Sequence, residues 1–302
     1  MHMRTIVRYA NTLHKRLARE DAHITKGGEL AMGWNAMTYD GKDTVLRVVR
    51  DQAEGFFTLA EVPETWKAKT ACPEWEVRDI VGHIVDTTET YFEGFDAARG
   101  HTEVDPAYGL AGMAKRAEEQ GKSFRDSPQK EMVDRLRTDF DKMMGIFEGL
   151  TPEDWTGLTV PHFYMGPVPA FFYPAFQLMD YGIHSWDIRE GTGREHGLHS
   201  DVADLLTPFM FGILAGTMRA AESVEPFTIG VRILSGPNAG DNRISVSQDG
   251  MTYEPGDVSD LPAVIEFDPG SFVLTAFGRF NGGTVRGDKK LADRFLGMFF
   301  RI

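Results

Sequence analysis

The spacing of apolar residues changes once along this chain, near residues 191–200, and that change restricts the fold more than any other feature. Upstream lie four long stretches with apolar residues three and four positions apart, the mark of helices that bury one face. Val45, Val48, Val49, Ala53, Phe56, Phe57 and Ala60 make the first face, between Asp43 and Val62. Val77, Ile80, Val81, Ile84, Thr88, Tyr91 and Phe95 make the second, from about Trp75 to Gly100. Met132, Val133, Leu136, Phe140, Met143, Met144 and Phe147 make the third, from about Gln129 to Leu150. The fourth runs from about Phe171 to Glu190, with Pro174 in its first turn, where a missing N–H is tolerated. Residues 101–128 read as a long connection holding a short helix, and 156–169, with Pro161, Gly166, Pro167 and Pro169, as a loop. Four long helices with a long crossover predict a four-helix bundle.

Downstream, Ser200 caps a helix to about Ala221. Period-two, β-branched runs follow at 227–234, 243–248, 251–254 and 263–267, separated by Gly236–Gly240 and Asp249–Gly250 turn signals. Helices are expected over 271–277 and 288–299, with a strand at 283–286 between them. The expected class is an α + α/β two-domain chain: an extension over 1–40, a helical bundle over 41–195 and an α+β domain over 196–302.

The formal net charge of −13 argues against nucleic acid as the main partner, because a phosphate binder needs a basic surface. Cys72 is the single cysteine, so no intramolecular disulfide forms, which fits a reducing cytoplasm. No apolar run approaches the ~20 residues of a membrane span. Residues 1–20 carry Arg4, Arg8, Lys15, Arg16 and Arg19 without a signal-peptide core, and read as a peripheral or poorly ordered helical extension; Met32 and Met37 are alternative starts.

Without cysteine clusters, metal ligands must come from His, Asp and Glu. Asp180 and His184 are four residues apart, so a helix sets a carboxylate and an imidazole on one face. His83, from another helix, would complete a two-histidine, one-carboxylate set with an open position, as in catalytic zinc-type sites. A lone histidine beside an apolar stripe is more often structural, so His83 gains weight only beside that pair. Asp79 and Asp187 read as outer groups or helix-end residues, Trp75 and Trp186 as packing, and Cys72 as a buried or incidental thiol. His162, His196 and His199 read as solvated loop residues.

Trp75-x-Val77-x-Asp79-x-x-x-His83 and His184-x-Trp186-Asp187, in this domain order, resemble the mycothiol-dependent maleylpyruvate isomerases and their relatives. The resemblance begins near Asp43. It implies a DinB-like metal-binding helical bundle followed by a sterol-carrier-protein-like domain. It also implies that His83, Asp180 and His184 bind one divalent ion, most simply zinc. The family usually has glutamate where this chain has Asp180, one methylene shorter. Phe277-Gly-Arg279 and Val285-Arg-Gly-Asp288 carry the C-terminal likeness, and Arg279 reads either as a surface or domain-interface charge or as an anion clamp for a substrate carboxylate. The implied activity uses a low-molecular-weight thiol, mycothiol, to isomerise or conjugate a small electrophile in the cytoplasm. The alternative is a non-catalytic protein binding metal or an apolar ligand.

Overall fold

The computed structural model describes residues 33–103, 105–194, 196–219 and 225–302. The extension expected over the first twenty residues lies outside them. The described residues form nine α-helices, a two-stranded hairpin and a five-stranded sheet, and divide into two compact units between Leu198 and His199.

In the first unit the long helices are α1 (Lys42–Ala60), α2 (Val77–Ala98), α4 (Gln129–Glu148) and α6 (Phe172–Gly191), with shorter α3 (Leu110–Ser123) and α5 (Pro152–Gly157). α1 packs on α4 and α6, and α2 packs on the same two, which closes a ring of four helices. Tyr181 of α6 meets Phe56, Phe57 and Phe140 edge-on at 5.6, 5.8 and 5.5 Å, joining three helices in one aromatic cluster. α6 is buried on nearly every side, from Phe172 to Ile188 with Asp180 the exception, so it is the central helix.

The start of α2 is fixed by charge as well as packing. Glu76 and Asp79 form a capping box, and Arg125 donates to both Asp79 carboxylate oxygens at 2.7 and 2.6 Å. Burial alone would raise the Asp79 pKa; the Arg125 hydrogen bonds and charge overcome that and hold it low. α3 approaches α2 through glycines. A Cβ on Gly82 would sit 2.6 Å from the Gly121 carbonyl oxygen, and one on Gly121 would sit 2.7 Å from the Asp79 oxygen.

Residues 159–169, expected as part of a loop, form a hairpin of β1 (Thr159–His162) and β2 (Gly166–Pro169). Its turn is closed by Gly166 at φ 73°, a conformation that favours glycine. Pro161 faces Pro167, so two of the missing N–H groups fall at one cross-strand pair. β1 lies on α2 because Gly94 leaves room: a Cβ there would be 2.6 Å from the Pro161 oxygen.

The second unit holds α7 (Ser200–Thr217), β3 (Phe227–Ile233), β4 (Gly240–Ser247), β5 (Gly250–Pro255), β6 (Ala263–Phe267), α8 (Pro269–Ala276), β7 (Thr284–Gly287) and α9 (Lys289–Leu296). The sheet order is β5-β4-β3-β6-β7, with β3 and β6 parallel and the other pairs antiparallel. Phe211 of α7 stacks on Tyr253 at 4.6 Å and meets Phe272 at 4.9 Å, joining α7, β5 and α8. Asp241, Arg232, Glu266 and Arg286 form a run of ion pairs across four strands, at 2.6, 3.1 and 2.6 Å. Among the described residues no helix is long and apolar enough to cross a membrane.

Candidate metal centre

On α2, His83, Thr87 and Tyr91 recur every four residues; on α6, Phe176, Asp180 and His184 do the same. The two rows meet. His83 Nε2 lies 3.7 Å from Asp180 Oδ1, and the His83 and His184 rings are 5.3 Å apart, edge to face. One ligand atom from each of His83, Asp180 and His184 falls within 4.8 Å of the others. Both imidazoles are oriented from behind: Thr87 Oγ1 is 3.4 Å from His83 Nδ1, and Asp187 Oδ2 is 2.9 Å from His184 Nδ1. That leaves Nε2 of each ring for the shared point. Trp75 walls the site, its ring 5.2 Å from that of His83 and stacked 6.1 Å from that of His184.

The donor set fits a divalent cation. Asp180 Oδ2 is buried and has no hydrogen-bond partner among the described residues, a costly state that a cation relieves. Metal–ligand bonds of about 2.0–2.2 Å place neighbouring ligand atoms roughly 3.3 Å apart on a tetrahedral ion. The 3.7 Å His83–Asp180 pair is near that spacing.

Cys72 is buried, one of the two readings its sequence position allows, and it reaches the back of this site. Its Sγ lies 3.2 Å from Asp187 Oδ2 and 3.9 Å from His184 Nδ1, and Cys72, His184 and Asp187 form a second group of close ligand atoms. Two features bring the Cys72 turn to α6: the Ala71 N–H donates to the Asp187 carbonyl, and Gly191 lets Thr70 pass, since a Cβ there would be 2.3 Å from Thr70 Cα.

Residues 46–189, which contain all three proposed ligands, match the profile of the mycothiol maleylpyruvate isomerase N-terminal domain. This helical unit belongs to that family. Among solved structures, the mycothiol-dependent maleylpyruvate isomerase is similar, with 11% identity, a TM-score of 0.54, and coverage of 80% of this chain and 91% of that one. A histidine-to-alanine mutant of the mycothiol-dependent maleylpyruvate isomerase matches with 11% identity, a TM-score of 0.55, and coverage of 81% and 92%. At that identity the likeness is one of fold. A third match, the colibactin self-resistance protein ClbS in complex with a dsDNA, has 12% identity and covers 51% of this chain and 97% of that one. Its TM-score of 0.43 is too low to bear on partners. No curated protein matches this chain significantly by sequence.

The isomerase-family domain holds further polar residues beside the ligand set. His162, read from sequence as solvated, is 8% exposed, and burial drives its pKa down to about 3. Its ring packs between Phe176 and Tyr91, at 4.6 and 5.7 Å. Arg116 of α3 donates to both Asp86 oxygens, at 2.6 and 3.3 Å, and to Tyr164 Oη at 3.3 Å. Burial works against the Arg116 charge, but Asp86 more than restores it. Periodicity on α2 marks Tyr91, two turns from His83; no sequence signal marks Arg116 or Tyr164. Arg279 lies in the other unit, where its Nη1 donates to the carbonyls of Phe277 and Ile302 at 3.1 and 2.6 Å.

Proposed function

We propose that this chain is a metal-dependent enzyme that uses a low-molecular-weight thiol, mycothiol, to isomerise a small electrophilic substrate. The convergence of His83, Asp180 and His184, with Asp180 Oδ2 lacking a protein donor, inside the segment that matches the isomerase family carries this reading. In this proposal residues 41–195 are a DinB-like metal-binding bundle, 196–302 a sterol-carrier-like α+β domain and 1–40 an extension. Zinc is the proposed ion. A divalent ion held by such a set lowers the pKa of a thiol brought to it, so that thiolate is present near neutral pH.

The chain's own residues do the rest. Thr87 and Asp187 orient the two imidazoles, and Trp75 shields one side from water. Cys72 is buried against Asp187, so the attacking sulfur comes from outside the chain. A thiolate adds to one carbon of a conjugated double bond and the electron pair moves to the conjugated carbonyl oxygen. The former double bond rotates as a single bond. The pair then returns and expels the thiolate, with no atom gained or lost. A thiol S-transferase would stop at the adduct; the family favours isomerisation. For Arg279 we propose binding of an anionic group on the substrate. The proposed partners are thus small molecules in a cytoplasmic setting, and the net charge of −13 disfavours nucleic acid.

The test is metal analysis followed by turnover of maleylpyruvate with and without mycothiol. The native protein should hold near-stoichiometric metal and turn over only with thiol, and His83→Ala should lose both. Equal metal in both proteins removes the site. Metal without thiol-dependent turnover leaves the non-catalytic binding protein as the better reading. Arg279→Ala should raise KM with metal content unchanged.

A further inference from the structure

Tyr91, His162 and Tyr164 pack ring against ring, Tyr91–His162 at 5.7 Å and His162–Tyr164 at 5.9 Å, and are only 4%, 8% and 6% exposed. Each ends in a donor with no acceptor among the described residues. Tyr91 Oη makes no hydrogen bond to them. His162 Nδ1 accepts from the main-chain N–H of Tyr164 and of Met165, both at 3.2 Å, so the ring proton sits on Nε2. Tyr164 Oη accepts from Arg116 Nη1, which leaves its own O–H to donate. Tyr91 Oη and His162 Nε2 have no protein partner among the described residues, yet neither is among the buried atoms left without one, a group that includes Asp180 Oδ2 and Tyr181 Oη. Nearly buried rings in contact with one another, two of them with a donor end within reach of solvent, describe a recess lined by donors.

The recess lies beside the metal site. Phe176, one helical turn before Asp180, lies 4.6 Å from the His162 ring and 6.2 Å from that of Tyr91. Tyr91 is two turns along α2 from His83. Its phenol pKa is raised first by burial and then by the charge of Asp180, which places the two within electrostatic reach. Behind Tyr164, Arg116 is locked by Asp86 and lies over the Phe163 ring at 4.5 Å. His162 stays neutral because burial holds its pKa near 3, so it serves as a donor and not as a base. The complementary ligand group accepts hydrogen bonds only, and the flanking rings suit a flat neighbour.

We propose that Tyr91, His162 and Tyr164 bind the carboxylate of a planar, conjugated acid beside the metal site, with Arg116 as the positioning residue behind Tyr164. The use of this group in catalysis rests on the metal-dependent reading above; the donor recess rests on its own geometry.

The probe is crotonate, a planar conjugated carboxylate, titrated calorimetrically into the zinc-loaded full chain beside crotonamide. Crotonate should bind more tightly than crotonamide. Tyr91→Phe, Tyr164→Phe and His162→Asn should each weaken crotonate about tenfold or more, with zinc content unchanged. Tyr91→Phe is the decisive variant, because it removes one oxygen atom and breaks no hydrogen bond within the described residues. No crotonate binding to the native protein, or native affinity in Tyr91→Phe and in the Tyr91→Phe/Tyr164→Phe double variant, overturns the recess. A native protein that takes up no zinc overturns the metal reading instead. The same titrations on that zinc-free chain then decide the recess alone.

Discussion

Asp187 Oδ2 lies 2.9 Å from His184 Nδ1 and 3.2 Å from Cys72 Sγ, in a position shielded from water. A carboxylate there holds the His184 proton on Nδ1 and presents Nε2 as a lone pair. Asp187→Asn should weaken metal binding by about 10- to 100-fold, measured by competition with a chelator. Cys72→Ser should change it far less, since a hydroxyl still donates to Asp187. An Asp187→Asn protein with native affinity would show that His184 is oriented by other contacts.

Asp180 stands where the family usually has glutamate, and its Oδ2 has no protein partner. Asp180→Glu should retain metal, with the longer side chain reaching the same point from one methylene further away. Asp180→Asn should lose most of it by removing the charge. Metal analysis of the two variants side by side checks this, and equal retention would exclude the carboxylate as a ligand.

Buried His162 makes the fold sensitive to acid. Its pKa falls from 6.5 to about 3 on folding, so between those values the unfolded chain binds more protons there than the folded one. The stability tied to this ring is complete above pH 6.5 and declines as pH falls toward 3. At pH 5 the loss is about 2 kcal/mol. His162→Asn keeps an acceptor for the two turn N–H groups but cannot titrate. It should be less stable overall, yet its urea midpoint should fall less steeply between pH 7 and pH 5.

Asp139 of α4 has the opposite sign. Burial first, and the Glu89 carboxylate second, push its pKa from 3.8 to about 6, against the pull of Arg135 and Lys142. The folded state therefore binds more protons than the unfolded one in that interval, and stability falls as pH rises through it. Asp139→Asn should stabilise the protein at pH 7.5 by on the order of 1–2 kcal/mol, allowing for partial solvent screening. The gain should vanish near pH 4. Urea unfolding at the two pH values measures it.

Which parts of this architecture the sequence discloses follows from where each residue's partners lie. α1 and α4 bury one face and expose the other, so their apolar period locates both ends within two residues. The convergence of His83, Asp180 and His184 is legible because two of the proposed ligands share one helix and the third sits in a family motif. Thr87 and Asp187, the groups behind the imidazoles, stand at i+4 and i+3 from them, within reach of the same helical arithmetic. The hairpin is hidden by Pro161, Pro167 and Pro169, residues that normally argue against strands. The surroundings of His162 come from Tyr91 and Phe176, on two helices remote in sequence from each other, so no local pattern foretells its burial.

Gly82 and Gly121 place backbone against backbone where α2 meets α3, and the space for a Cβ on Gly121 ends 3.5 Å from the Cβ of His83. The Phe124 side chain closes the same contact, 3.0 Å from where a Cβ on Gly82 would sit. Arg116 rides on α3 five residues before Gly121, so one methyl group at either glycine would lift α3 and draw the guanidinium away from Asp86 and Tyr164. Every proposed ligand and every proposed donor would keep its chemical identity. Helix spacing and side-chain chemistry are thus written at separate positions, and the distance between α2 and α3 can be reset through two residues absent from the proposed donor and ligand sets.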